Sequence, residues 1–203
     1  RPLGMLITLS SIMKKAMRAS SQDIGIPCGA FLGISIGSPY YSRQRIGHYL
    51  AYARLKFSSF AFLIGDDIFR FTLAGLRGIA IDDALARART IGDEREVMLR
   101  DAIHTSGIHA AILRWTAIAN IPQYAPLLEC VREAYRKNKH FKDGVRRQAF
   151  VNLGDRVAET GLSRNSHVDN YTSSLFDSYI LEEIAGLVTV SEYTPYVTEI
   201  YPG

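Results

Sequence analysis

Short apolar runs alternate along this chain with longer segments of helical periodicity. Residues 5–9, 31–35 and 60–64 are apolar almost throughout, the pattern of strands covered by helices on both faces. Between the last two, residues 43–56 bring Ile46, Tyr49, Leu50, Ala53 and Leu55 round at near-helical spacing, and residues 123–135 repeat the pattern with Leu127, Leu128, Val131 and Tyr135. Residues 110–117 are apolar enough for another strand, although a buried helix shares that signature, and residues 193–201, rich in Tyr, Thr and Val, predict a final one. Strands alternating with helices predict an α/β fold with a central, mainly parallel sheet. No repeat, low-complexity tract or Pro/Gly/Ser linker divides the 203 residues, so one domain over 1–203 is expected.

Composition narrows the class: 47% hydrophobic, 22% charged and 10% aromatic residues exclude a disordered chain. The longest apolar stretches fall far short of the ~20 residues of a membrane-spanning helix, and the start lacks a signal-peptide layout, so a soluble, cytoplasmic protein without a membrane partner is expected. Cys28 and Cys130 form neither a CxxC pair nor a Cys/His cluster, which argues against a disulfide framework and against a structural metal. The net charge is +4, and Arg132, Arg136, Lys137, Lys139, Lys142, Arg146 and Arg147 crowd one segment, which permits a polyanionic partner.

Gly33-Ile34-Ser35-Ile36-Gly37 matches GxSxG, in which small flanking residues let a serine sit on a sharp turn with its hydroxyl exposed. Phe31, Gly33 and Ser35 alternate onto one strand face, and Ser35 falls at the carboxyl end, where open α/β sheets bind ligands. A serine that merely turns the chain fits the same motif. A nucleophile needs a base, yet His48, His104, His109, His140 and His167 have no supporting local motif; only His167, with Asp155 or Asp169 nearby, suits a hydrolase. Over residues 171–187, Leu175, Phe176, Tyr179, Ile180, Glu183, Ile184 and Leu187 form one helical face that includes an acid, whereas Glu182 falls on the opposite face, expected to be solvated. Tyr179 precedes Glu183 by one turn, so the two can serve one site, and a half-buried carboxylate there can accept a proton near neutral pH unless an arginine pairs with it.

The run Gly33-Ile34-Ser35-Ile36-Gly37-Ser38-Pro39-Tyr40-Tyr41-Ser42, then Tyr179-Ile180-Leu181-Glu182-Glu183, then Tyr201-Pro202 in the last strand, resembles the cyclodipeptide synthases over nearly the whole chain. Ser38 and Pro202 fit the subgroup called XYP. The resemblance implies a single Rossmann-like domain related to the catalytic domain of class I tyrosyl- and tryptophanyl-tRNA synthetases, using tRNAs already charged; neither HIGH nor KMSKS, the synthetase ATP signatures, occurs in the sequence. It further implies a ping-pong reaction of two aminoacyl-tRNAs through aminoacyl and dipeptidyl esters on Ser35, ending in a 2,5-diketopiperazine. An aminoacyl ester is already activated, so no cofactor, ATP or metal is implied.

By the same resemblance Tyr179 and Glu183 hold the first α-amino group, Glu183 moves a proton during peptide-bond formation, and Tyr201 assists cyclisation. The substrate pocket is expected to involve Phe31, Gly33, Ser38, Leu63, Gly65, Gly186 and Pro202, with Glu199 able to supply charge. For tRNA the family uses a basic helix after the 60–64 strand; here Arg87, Arg89, Arg95 and Arg100 occupy it, diluted by Asp93, Glu94 and Glu96, and the denser 132–147 cluster with Lys137 and Lys139 is the alternative contact. A monomer is implied, with a downstream tailoring enzyme as a further partner. The competing classes are a serine hydrolase built on GxSxG and a non-catalytic tRNA-binding module.

Overall fold

The structure, a computed structural model, describes residues 28–160 and 170–200. The alternation read along the GxSxG segment becomes β1 (Gly29–Ile34), an inner strand of a four-stranded sheet. β1 pairs in parallel with β2 (Ser59–Ile64), Gly33 opposite Leu63, and on its other side with β4 (Tyr196–Ile200), Phe31 opposite Glu199. β2 pairs in parallel with β3 (Ala111–Arg114), giving the order β3-β2-β1-β4. Parallel neighbours need crossover connections. These are supplied by α1 (Arg43–Lys56), α2 (Asp66–Arg77), α3 (Ile81–Ser106), α4 (Trp115–Ala119), α5 (Tyr124–Lys137), α6 (Lys139–Thr160) and α7 (Asn170–Tyr193). The chain steps outward from β1 to β3 and then returns to β4 on the far side of β1. That reversal opens a crevice at the carboxyl ends of β1 and β4.

Each strand serves two cores. Ala30, Leu32 and Ile34 face α1 and α3, where Ile46, Leu50, Ala84, Ala88 and Leu99 are buried. Phe31, Ala61 and Leu63 face the other way, toward Trp115, Leu128, Ala185 and Val190. A third apolar cluster, with Val131, Val145, Ala149, Phe176 and Ile180, seals α7 against α5 and α6. The expected α1 starts on a real cap: Ser42 Oγ accepts the Arg45 amide at 3.4 Å. Among the described residues no helix is long and apolar enough to cross a membrane.

Three expectations change. The strand expected over 110–117 lasts only to Arg114, because Asp66 Oδ1 accepts the Trp115 amide at 3.1 Å and starts α4 there. The final strand begins at Tyr196 rather than at 193, since α7 runs on to Tyr193. Glu182 is not solvated: it is 7% exposed, and Arg70 Nη2 donates to its two carboxylate oxygens at 2.7 and 2.9 Å. Glu182 lies where α7 packs against α2 and α5, which bring Arg70 and Arg132 to it. The strand expected at 5–9 lies outside the described residues.

Asp66 is 0% exposed and accepts Arg114 Nη2 and Nε at 2.6 and 2.8 Å; the same guanidinium reaches Asp93 Oδ1 and Glu96 Oε2, each at 2.8 Å. Removing one member of a buried pair leaves the other charge without compensation, so Asp66→Ala is expected to cost about 3–5 kcal/mol. Asp93→Ala, whose carboxylate is 70% exposed, is expected to cost less than about 1 kcal/mol. Urea unfolding midpoints check this, and equal losses for the two variants would show that the cluster is not organised around Asp66.

Candidate active site

Ser35 leaves the end of β1 on a tight turn. Its carbonyl accepts the Ser38 amide at 3.2 Å, and Ser38 Oγ in turn accepts the Tyr40 amide at 3.2 Å. Gly37 is required by a close approach, since a Cβ there would lie 2.6 Å from Phe69 Cζ. From α3, Arg95 donates to the carbonyls of Tyr41, Ile36 and Ser38 at 2.8, 3.2 and 3.4 Å. Tyr40 and Tyr41 meet edge to face, with centroids 5.3 Å apart, and the Tyr40 hydroxyl lies 3.0 Å from that of Tyr49.

Across from the turn, α7 presents Tyr179 and Glu183 one turn apart, with Tyr179 OH donating to Glu183 Oε1 at 3.2 Å. Ser35, Tyr179 and Glu183 all line one cavity of about 500 Å³ at the carboxyl edge of the sheet. Leu63 and Gly65 wall it from the β2 side, and Trp115 closes it from α4. β4 adds Glu199, whose Oε1 lies 3.8 Å from where a Cβ on Gly33 would be. Glu199 is an exposed residue of the edge strand, yet its carboxyl turns into the crevice, where loss of water and then the nearby Glu183 raise its pKa to about 7. Two acids, Glu183 and Glu199, thus share one cavity with Ser35 and the Tyr179 hydroxyl. Among the described residues no group of three His, Cys, Asp or Glu is arranged to hold a metal ion.

Gly33, Ser38, Leu63, Gly65 and Glu199, expected from the sequence, stand on the cavity wall beside Ser35, Tyr179 and Glu183. Phe31 does not reach it; it is buried in the core beneath α7. Gly186 opens no room for substrate either, because the Trp115 indole fills the space: a Cβ on Gly186 would fall 2.2 Å from Trp115 Cη2. Tyr201, Pro202 and His167 lie outside the described residues, and none of the described histidines lines the cavity.

The basic residues divide. Arg87 and Lys139 are exposed. Arg89 pairs with Asp67 at 2.8 Å, Arg100 with Glu96 and Lys137 with Glu133 at 2.5 Å each. Arg95 is turned inward beneath the serine turn. Sequence reasoning missed Phe69, Trp115 and Asn152 as wall residues. The apolar patterning of residues 110–117 pointed to Trp115 only as core, and nothing in the local sequence marks Asn152.

The family model described as cyclodipeptide synthase matches residues 28–191, a span that includes Ser35, Tyr179 and Glu183. A synthase from Fluoribacter dumoffii superposes with a TM-score of 0.75 at 20% identity, covering 87% of this chain and 76% of that one. A cyclodipeptide synthase from Candidatus Glomeribacter gigasporarum, solved bound to Phe-tRNAPhe, gives 0.67 at 19% identity over 94% of this chain and 82% of its own. A Mycobacterium tuberculosis protein, whose structure is described as demonstrating that cyclodipeptide synthetases are related to type I tRNA synthetases, gives 0.62 at 16% identity over 79% of this chain and 66% of its own. No curated protein matches the sequence. The superpositions carry the shared fold, an α/β domain with a parallel four-stranded sheet flanked by helices, and the family model carries the rest: this chain belongs to the cyclodipeptide synthase family.

Proposed function

We propose that this chain joins the aminoacyl groups of two charged tRNAs into a cyclic dipeptide through esters on Ser35. The reading is carried by the convergence of Ser35, Tyr179 and Glu183 on one cavity in a chain of this family. That a relative was solved with Phe-tRNAPhe supports charged tRNA as the substrate. Ser38 and Pro202 support assignment to the XYP subgroup.

In the first step Ser35 Oγ attacks the carbonyl carbon of the first aminoacyl ester. The bond to the terminal ribose oxygen breaks, and the uncharged tRNA leaves with the proton that the serine gives up. The α-ammonium of the bound residue then lies against Tyr179 and Glu183. Transfer of its proton to the Glu183 carboxylate frees an amine, which attacks the ester carbonyl of the second aminoacyl-tRNA. As the amide forms, the attacking nitrogen gives its second proton to the departing ribose oxygen, Glu183 passes the first on to solvent, and a dipeptide remains esterified to Ser35. Its terminal amine attacks that ester, the ring closes, and the amine proton returns to Ser35 Oγ; Tyr201 is proposed to assist this last step. Both esters are activated before they arrive, so the protein has chiefly to orient amines and move protons.

Exposed cations on α3, among them Arg87, and on the 132–147 stretch, among them Lys139, are proposed to meet tRNA phosphate. We further propose a monomer acting in the cytoplasm, where charged tRNAs are found, with its product passing to a tailoring enzyme.

Three outcomes are expected. A labelled amino acid delivered on charged tRNA becomes ester-linked to the wild-type protein, and Ser35→Ala abolishes the label; a wild type that takes up no label from any charged tRNA overturns the reading. Glu183→Gln keeps the ester on Ser35 but slows release of cyclic dipeptide by roughly 10²–10⁴-fold, as expected on losing a proton-transfer group, and mass spectrometry of the products reads this. The third concerns stability. Because the Glu199 pKa is raised on folding to about 7, the folded protein resists its ionisation, and stability is lost as pH rises from the unfolded value of about 4.5 through 7. Glu199→Gln is therefore expected to melt at a higher temperature than wild type above pH 7 and at the same temperature below about pH 4.5, by an amount trimmed by solvent screening of this exposed residue.

A further inference from the structure

We propose that Arg95 is a positioning residue that holds the turn carrying Ser35, and does not bind tRNA; the inference rests on the reaction proposed above. One guanidinium donates to three carbonyls within the six residues that follow the serine: Tyr41 O at 2.8 Å, Ile36 O at 3.2 Å and Ser38 O at 3.4 Å. Ile36, Ser38 and Tyr41 are all buried. Their carbonyls cannot turn to bulk water, and a buried carbonyl without a donor is costly. Within the turn the Ser38 amide donates to Ser35 O, the Tyr40 amide to Ser38 Oγ and the Ser42 amide to Tyr40 O, bonds that do not serve the carbonyls of Ile36, Ser38 and Tyr41. Arg95 therefore makes it possible for this segment to fold back against α3 while Ser35 faces the cavity.

The residue type suits the task. A guanidinium presents five N–H donors in one rigid plane, so a single side chain can bridge acceptors on both sides of a turn; an ammonium is a point charge on a flexible stem and cannot span them. Removal from water lowers the Arg95 pKa, as befits a cation drawn away from solvent. Its neighbours on the helix behave differently: Arg87 and Arg100 are exposed, whereas Arg95 is half-buried and also approaches Met98 Sδ at 3.6 Å. Arg95 acts on the reaction through Ser35, because a nucleophile displaced by about 1 Å from its attack geometry can lose about 10²-fold in rate.

The test separates positioning from phosphate binding. Single-turnover acylation of Ser35 by labelled aminoacyl-tRNA is measured for wild type, Arg95→Lys and Arg95→Ala, and tRNA affinity at several salt concentrations is measured for the same changes in a Ser35→Ala background. The expected result is a maximal acylation rate lower by about 10²-fold in both variants, with Kd and its salt slope unchanged, and partial recovery of Arg95→Ala by millimolar guanidinium ion. An unchanged maximal rate, with weaker and less salt-dependent tRNA binding, would make Arg95 a phosphate contact and overturn the proposal. Should Arg95→Ala fail to fold, Arg95→Lys decides: a folded protein acylated at the wild-type rate also overturns it. A wild type that forms no ester with any charged tRNA is a separate outcome, which overturns the proposed function and this inference with it.

Discussion

Asp66 ties together the carboxyl ends of two strands, and the walls of the site follow from that junction. It is the first residue of α2, directly after Gly65 at the end of β2, and it binds both the guanidinium that ends β3 and the amide that begins α4. The fit is close enough that α3 must present a glycine: a Cβ on Gly92 would lie 2.8 Å from Arg114 Nη2 and from Asp66 Cβ. With the backbone of Trp115 fixed, its indole drops into the gap left by Gly186 and sets how near α7 approaches the sheet. α7 carries Tyr179 and Glu183. The Asp66–Arg114 pair thus bears, through Trp115 and Gly186, on how α7 and its acid sit against the sheet.

The two consecutive acids of α7 illustrate how burial and pairing sort identical side chains. Glu182 is held by Arg70, with Arg132 at 3.8 Å, and its charge is compensated inside the helical layer. Glu183, one residue on and about 100° further round the helix, enters the cavity beside Tyr179 and near Glu199. Compensation makes the first structural. The second stands on the cavity wall, where it accepts the Tyr179 hydroxyl and lies near a second acid, Glu199.

Much of this was legible in the sequence, for identifiable reasons. The α1 segment has a one-sided apolar stripe, and β1 is a short apolar run with a small-residue turn behind it; such local signals survive folding unchanged. The single turn between Tyr179 and Glu183 was legible for the same reason, being a property of helical spacing. The misreadings concern what packs against what. Glu182 follows the helical wheel, but the face it occupies is packed against α2 and α5. Gly186 read as space for substrate, yet the space was claimed by Trp115 from another element. Arg95 falls among the arginines that the resemblance assigns to tRNA, and its carbonyl partners leave no trace in the pattern of side chains.

Those partners also bear on how the proposed tRNA surface should be read. Pairing with an acid does not by itself remove an arginine or lysine from phosphate binding. The side chains of Arg100 and Lys137 are 69% and 74% exposed, and ion pairs in that setting are held by about 1 kcal/mol or less, so an arriving phosphate can displace the carboxylate. Burial is the stronger criterion. Arg114 is wedged among Asp66, Asp93 and Glu96, and Arg95 is committed to carbonyls beneath the serine turn; neither can reach a phosphate without dismantling the sheet edge or the turn it supports. The basic character of α3 is therefore divided by depth: its outer arginines remain able to meet a polyanion, while the inner one is bound to the turn that carries Ser35.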